Sequence, residues 1–494
     1  MTIVKTNSLD FDAQALRDKI LDLAMRGKLV PQDPNDEPAS VLLEKIKAEK
    51  AELVKEKKIK KSKPLPEITD DEKPFDIPDS WEWVRLGEVG NYIQRGRSPK
   101  YDKKNKSHPI ISQKCVQWEN IYLKDAKYIT KTFFDKLEDY RFVQENDVLW
   151  NSTGTGTVGR LNIVKQNLDH IPVDSHVTLI RMNKQVNPDY IYYYLRSPEI
   201  QDNLNDYLTG TTKQKELGLT NILKVKIPLP PLSEQSRIAA KIAQLFALLR
   251  KVESSTHQYA ELQTLLKTKV LDLAMRGKLV KQDPNDEPAS VLLEKIKAEK
   301  TELVKEKKIK KSKPLPPITD EEKPFDIPDS WKWVRISDVL DVRDGTHDTP
   351  KYVADGIPLI TSKNISNGKL DFTNINFISK DDFEKINERS KVDKGDIIFA
   401  MIGTIGNPVL VDTDTKFGIK NVALLKHFTD KLNMDFILDY LLVLQVIWNS
   451  NATGAVQKFV SLRKIRKSVL PLPPFKEQKK IVRKIDQIFR MIGE

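Results

Sequence analysis

The stretch SEQSRIAAKIAQLFALLRKVESSTHQYAELQTLLKTKVLDLAMR, Ser233–Arg276, contains neither glycine nor proline. It follows PLPP at 228–231, and proline both fixes its own backbone angle and drives the preceding residue out of the helical region. A helix is therefore expected to begin just after it, with Ser233 as N-cap, Glu234 and Gln235 in the first turn, and Gly277 as the stop. Positions 238, 242, 245, 249, 252, 256, 259, 263, 266, 270 and 273 advance in steps of four and three, and nine of these eleven are apolar. Sustained spacing of that kind marks a coiled-coil seam. Such a helix would run roughly 65 Å at 1.5 Å per residue. The alternative is two shorter helices broken near Ser254–Ser255–Thr256, residues that break helices only weakly.

The rest of the chain is organised around copies of this element. LDLAMRGKLV occurs at 21–30 and 271–280, and residues 21–85 repeat as 271–335 with five changes: Pro31/Lys281, Ala51/Thr301, Glu67/Pro317, Asp71/Glu321 and Glu82/Lys332. IPLPPLSEQSRIAAKIAQLFALL at 227–249 returns as VLPLPPFKEQKKIVRKIDQIFRMI at 469–492. The heptad maps through these repeats onto Ile481, Ile485, Ile488 and Ile492 at one end of the chain, and onto Leu9, Ala13, Leu16, Ile20 and Leu23 at the other. A second copy of the long helix is present, cut in two. The economical arrangement stacks the two pieces end to end, antiparallel to the intact helix, and gives a pseudo-two-fold object from one chain.

Each RGKLV leads into a proline-rich turn and then, in the first copy, VLLEKIKAEKAELVKEKKIKKSK, expected to be helical in its first half. The basic run Lys55–Lys63 reads better as a solvated helix end than as a phosphate contact. An extended linker then reaches PFDIPDSWxWVR, where Trp81 and Trp83, with Trp331 and Trp333, anchor the first strand of a unique region. The unique regions, about 86–226 and 336–468, read as mixed α/β. Strands are expected at 147–152, 159–164 and 175–182 and helix at 188–204; the second region repeats the pattern at 395–401, 407–412, 421–428 and 434–448.

Composition bounds the function. The 494 residues carry 82 Lys+Arg against 70 Asp+Glu, a net charge of +12 that favours a polyanionic partner without proving one. No run of about 18 apolar residues is present, and MTIVKTNSLDFD lacks a signal pattern. A single cysteine, Cys115, excludes an internal disulfide framework and a thiolate zinc cluster, and fits a reducing cytoplasm. Catalytic constellations are missing. GTGTVGR at 154–160 has a P-loop's glycine spacing but lacks its Lys-Ser/Thr and reads as a hairpin turn. NPDY at 187–190 is a near miss to a methyltransferase amine-binding motif and starts a helix. His108, His170, His176, His257, His347 and His427 make no ligand-spaced pair. The acidic residues show no clear dyad, although sequence does not exclude a nuclease's carboxylates.

Two regions of about 150 residues, each opened by IPxSWxW and closed by PLPPxxEQxxI, and separated by LDLAMRGKL and LLEKIKAEK, resemble the DNA specificity subunit of Type I restriction–modification enzymes. The resemblance covers essentially the whole chain. It implies an α+β fold: two mixed α/β target recognition domains joined by long antiparallel coiled-coil helices with pseudo-two-fold symmetry. The expected division is 1–75 (spacer half-helix, loop, charged helix, linker), 76–230 (first recognition domain), 231–325 (long spacer helix, charged helix, linker), 326–473 (second recognition domain) and 474–494 (spacer half-helix). It implies a non-catalytic chain that reads a split site in double-stranded DNA and docks two modification (methyltransferase) subunits, and through them restriction subunits. It implies no cofactor or metal in this chain: S-adenosylmethionine belongs to the modification subunit, ATP and Mg to the restriction subunit. Repeat material at the N-terminus departs from a common family layout, and the split helix explains how such a permuted chain still closes. The rival readings are a single-chain nuclease or methyltransferase, for which no third unique region is left, and a coiled-coil scaffold whose α/β domains bind proteins.

The expected DNA-binding residues follow from loop position and chemistry. Arg95, Arg97 and Lys100 lie in QRGRSPKYDKKNK, and Arg343, His347 and Lys351 in VRDGTHDTPKY. Gln113 and Lys114, with Ser362, Lys363 and Asn364, follow the next strand and resemble the family's region of base contact. Asn151 and Thr153 sit at a hairpin, and Lys213, Gln214, Lys215, Gln457 and Lys458 in basic loops.

Overall fold

The computed structural model describes residues 11–493 except 167, 169, 211–214, 312, 367, 402–405 and 451–459. The fold is α+β, and the chain forms two compact units, one spanning Leu9–Thr256 and the other built on His257–Glu494. In the first, α1 (Ala13–Met25) and α2 (Ala39–Lys55) precede β1 (Glu82–Arg85) and β2 (Gly90–Arg95). Then come β3 (Val148–Asn151), β4 (Leu161–Ile163), β5 (Val177–Met182), α3 (Pro188–Leu195) and β6 (Lys226–Leu229), followed by α4 (Leu232–Met275). An antiparallel sheet has the order β2-β5-β3-β4. Successive side chains of a strand point to opposite faces. Val148 and Trp150 enter one apolar core while Leu149 enters another, so both faces are covered and VLW reads as a continuous apolar run.

The second unit repeats the scheme. It contains α5 (Ala289–Lys305), β7 (Lys332–Arg335), β8 (Asp341–Asp344), α6 (Lys380–Ser390), β9 (Ile397–Ala400) and β10 (Gly406–Leu410). These are followed by β11 (Val422–Lys426), α7 (Met434–Ser450), β12 (Val469–Leu472) and α8 (Phe475–Ile492). Its sheet order, β8-β11-β9-β10, matches that of the first. Ile397 and Phe399 face one core, Ile398 and Ala400 another. The second unit adds a four-stranded sheet of Tyr352–Val353, Asn376–Ile378, Ile357–Ile360 and Gly418–Ile419.

The repeated motifs meet in space. β1 pairs with β6 (Trp83 opposite Pro228, Arg85 opposite Lys226), and β7 pairs with β12 in the same register (Trp333 opposite Pro471, Arg335 opposite Val469). The Trp81 indole donates to Glu234 at 2.9 Å, and Trp331 to Glu477 at 3.1 Å; Gln32 and Gln282 donate to the same two carboxylates. Gln235 accepts from the Asn187 amide at 2.8 Å and donates to the Pro230 carbonyl at 2.9 Å. Gln478 does the same with Asn433 and Pro473. Arg85 and Arg335 are buried, each pairing with a linker glutamate, Glu72 or Glu322, and with linker carbonyls. The Lys50 amine donates to the carbonyls of Gly87, Glu88 and Gly90, and Lys300 to that of Ser337. The identity of these particular side chains between the two repeats is thus a packing requirement, because they satisfy buried or half-buried partners.

Several sequence expectations are modified. The long helix starts at Leu232, so Ser233 lies inside it; it continues unbroken through 254–256, which removes the two-helix alternative. The helix expected at 188–204 ends at Leu195 and resumes as short turns at Pro198–Gln201 and Leu204–Tyr207, because Pro198 cannot continue the first segment. In the first unit α4 carries Glu253 beside Arg17 of α1; in the second its Gln263 donates to the Ile492 carbonyl of α8 at 2.6 Å. Ile238, Ile242, Leu249 and Val270 of the heptad are buried, whereas Val252, Tyr259 and Leu266 are exposed, as is Leu16 of α1. Leu9 lies outside the described residues.

Candidate nucleic-acid interface

Four segments converge at one end of the first sheet. At the end of β2, Gly96 donates its amide to the Val177 carbonyl at 3.1 Å. A Cβ on Gly96 would stand 1.9 Å from the Val173 carbonyl oxygen, so no side chain fits there. The turn between β3 and β4 follows Asn151; Ser152 takes a bond from Leu217 and gives one to His176, both at 2.8 Å. Thr153 Oγ1 lies 2.6 Å from His176 Nδ1, tying that turn to the one before β5. GTGTVGR is a turn, with Gly154, Gly156 and Gly159 all at positive φ. The 113–117 loop packs alongside: the Asn151 amide donates to the Gln113 carbonyl at 2.9 Å, and Arg160 donates to Gln117 Oε1 at 2.6 Å.

The expected residues divide by what they touch. Lys100 and Lys114 are exposed. Arg97 pairs with Glu138 at 3.1 Å, and both remain about half exposed. Arg95 is more committed, donating to the Leu217 carbonyl at 2.7 Å and pairing with Glu216. Gln113 and Thr153 are half-buried at the rim. Lys215 reaches Asn205 at 2.6 Å, while Lys213 and Gln214 lie outside the described residues. Asn151 is a correction: its side chain is fully buried and holds the 113–116 loop from beneath instead of standing at the surface.

The second unit places its counterparts likewise. Gly345 donates to Val422 at 3.0 Å, as Gly96 does to Val177. By that bonding Asp344 occupies the place of Arg95, and Arg343 that of Gln94. Arg343 pairs with Asp341 at 2.7 Å. His347 is exposed and bonded to Asp344 and Asn421. Lys351 and Lys363 are exposed, and Ser362 is half-buried in a 3-10 turn. Asn364 is the second correction: it is buried, accepting from Thr361 and donating to the Asp371 and Asn374 carbonyls. Gln457 and Lys458 lie outside the described residues.

Gln117, Arg160 and His176 in the first unit and Arg389, Lys420 and Asn421 in the second also bond to or pair with residues at these loops and are not among the expected residues. No local motif marks His176, Lys420 or Asn421; pairing of β5 and β11 with their sheets brings the turns that carry them to the rim. At the opposite end of each sheet, just before β3 and β9, a buried carboxylate is structural. Burial pushes Asp147 up, against the Arg181 guanidinium at 2.7 Å. Asp396 holds Lys426 at 2.7 Å. Among the described residues no three His, Cys, Asp or Glu side chains gather as a metal site, and no helix is long and apolar enough to cross a membrane.

Two like-built α/β units with matching opening and closing strands define a class of paired-domain protein, and the comparisons say which. The model of the Type I restriction modification DNA specificity domain matches residues 78–263 and 328–493, and the chain belongs to that family. The EcoAI specificity subunit of Escherichia coli is 32% identical over 548 residues, covering 97% of this chain and 89% of the relative. The EcoEI specificity subunit, also of Escherichia coli, is 35% identical over 378 residues, 67% of this chain and 62% of the relative. A chain solved in a study of complex assembly and conformational transition of the type I R-M system shares the fold, at 21% identity and a TM-score of 0.57 over 85% of this chain and 93% of that one.

Proposed function

We propose that this specificity subunit reads a bipartite site in double-stranded DNA, one half-site through each unique region, and contributes no catalytic group of its own. The recognition domains are 76–230 and 326–473; residues 1–75, 231–325 and 474–494 form antiparallel coiled-coil spacers with pseudo-two-fold symmetry and dock two modification subunits. Restriction subunits join through the complex. S-adenosylmethionine sits in the modification subunit and ATP with Mg in the restriction subunit, and the assembly works in the cytoplasm. The observation that carries this reading is that two regions with little shared sequence have one sheet order and one strand clip, yet different side chains on the equivalent loops. A common scaffold with divergent loops is how one fold carries two specificities.

In this reading exposed Lys100, Lys114, Lys351 and Lys363 meet phosphates, as Lys213, Lys215 and Lys458 do. Arg95, Arg97, Gln113, Thr153, Gln214, Arg343, Ser362 and Gln457 meet base edges or backbone, while Asn151, Asn364 and His347 hold the loops that do. Selection from random duplex pools by the chain assembled with a modification subunit tests it. Enrichment of a two-part motif is expected, with no methyl transfer by the chain alone. Enrichment of one continuous motif, or methylation without a partner, would refute it.

A further inference from the structure

The loop after β8 is laced to the turn before β11. Thr346 donates its amide to the Ile419 carbonyl at 3.0 Å, the Asn421 amide donates back to Thr346 at 3.1 Å, and the Lys420 amine binds the Thr349 hydroxyl. One side chain spans this seam. His347 Nε2 lies 2.7 Å from Asp344 Oδ2, and His347 Nδ1 lies 3.1 Å from Asn421 Oδ1. We infer that His347 is a positioning residue for the second recognition domain, whose doubly protonated ring clasps the 344–349 loop to the 419–421 turn and makes reading of that half-site proton-dependent. The inference rests on the DNA-reading role proposed above.

Both ring nitrogens face oxygen acceptors, and only an imidazolium donates from both. Asp344 needs that cation. Its residue is 9% exposed, and its Oδ1 is buried without a hydrogen-bond partner. A buried carboxylate is costly unless paired. The charged groups around the ring are Asp344 on β8, Arg389 on α6 and Lys420 beside Asn421. Arg389 stands 3.9 Å from Asp344 and is itself 63% exposed, so water screens it. The hydrogen bond to Asp344, then that to Asn421, raises the histidine above its usual range. The clasp is therefore complete below about pH 6.5 and opens as pH rises through the raised value. Loss of one proton leaves a nitrogen lone pair facing an oxygen. In the first unit Arg95 stands in the place of Asp344 and pairs with Glu216, and the rim histidine, His176, meets the Thr153 hydroxyl, which can donate to or accept from either form of the ring.

The test uses the chain assembled with its modification subunit, on duplexes carrying the selected site. Single-base substitutions in each half-site give a discrimination ratio for that half, measured from pH 6.0 to 8.5 at fixed salt. Replacing residues 336–468 with a copy of 86–225 shows which half belongs to the second domain. Discrimination in that half is expected to fall about tenfold across the range while the other half stays level. His347→Gln is expected to abolish the slope. Equal slopes in both halves, or a slope that survives His347→Gln, would overturn the inference alone; the wild-type profile decides even if the variant folds poorly. Failure to select any two-part site would overturn the DNA-reading proposal and the inference with it.

Discussion

At the scale of the residue, the glutamate of each PLPPxxEQ ties together a tryptophan and a glutamine of the repeat. Glu477 accepts from the Trp331 indole and from Gln282, and Glu234 from Trp81 and Gln32. Glu477→Ala strands the buried Trp331 indole and takes one of two acceptors from the half-buried Gln282 amide, and an unsatisfied buried group costs about 1–3 kcal/mol. Denaturant unfolding is expected to show a loss of that order, with a smaller loss for Glu477→Gln, which keeps one acceptor; equal losses would mean that the network contributes only packing. Burial raises both carboxyls above the ordinary glutamate range. The folded chain holds their protons more tightly than the unfolded one, so their contribution is full below about pH 4.3 and declines as pH rises through the raised values. Glu322 has the opposite sign. Bonds from Arg335 and the Thr319 amide hold it down to about 2 from 4.5, so its contribution is full above 4.5 and is lost as pH falls through about 2. Glu322→Gln is therefore expected to flatten the acid limb of the stability profile, and an unchanged limb would show that this pair is screened by water.

At the scale of the element, the RGKLV repeat is a helix stop fitted beneath a strand. Gly277 has φ +67°, and Lys278 donates to the Leu273 carbonyl at 2.8 Å, closing the end of α4. A Cβ at Gly277 would lie 2.4 Å from Pro328 Cγ, and one at Gly27 the same distance from Pro78. Two constraints coincide, left-handed backbone and contact with the IPDSW segment. Gly277→Ala is expected to cost at least the roughly 1–2 kcal/mol of the left-handed conformation, read as a lowered melting temperature. A neutral substitution would mean that the Pro328 loop yields freely. Glycine and proline made this junction legible as punctuation; their contact across some fifty residues was not, because it depends on where the linker returns.

At the scale of the whole molecule, the matched clips β1–β6 and β7–β12 make the two unique regions interchangeable in principle. A chain in which 86–225 replaces 336–468 is expected to recognise a site containing the first half-site twice, as read by methylation-site mapping with the modification subunit. Recovery of the original motif, or of an unrelated one, would show that the regions do not read independently.

The sequence by itself determined the internal duplication, the long α4, three of the four strands of each matching sheet and the family, because each is written in local periodicity, proline and glycine punctuation or exact repetition; β2, β8 and the second unit's extra sheet were not legible. Membership of the candidate rim was only partly legible. Asn151 and Asn364 look like surface amides in sequence but are buried, and His176, Lys420 and Asn421 carry no motif yet stand at the rim. Only the tertiary structure decided those placements. Whether a polar side chain turns outward or supports a neighbouring loop depends on which unsatisfied backbone group lies within reach, and strand pairing between residues far apart in the chain fixes that.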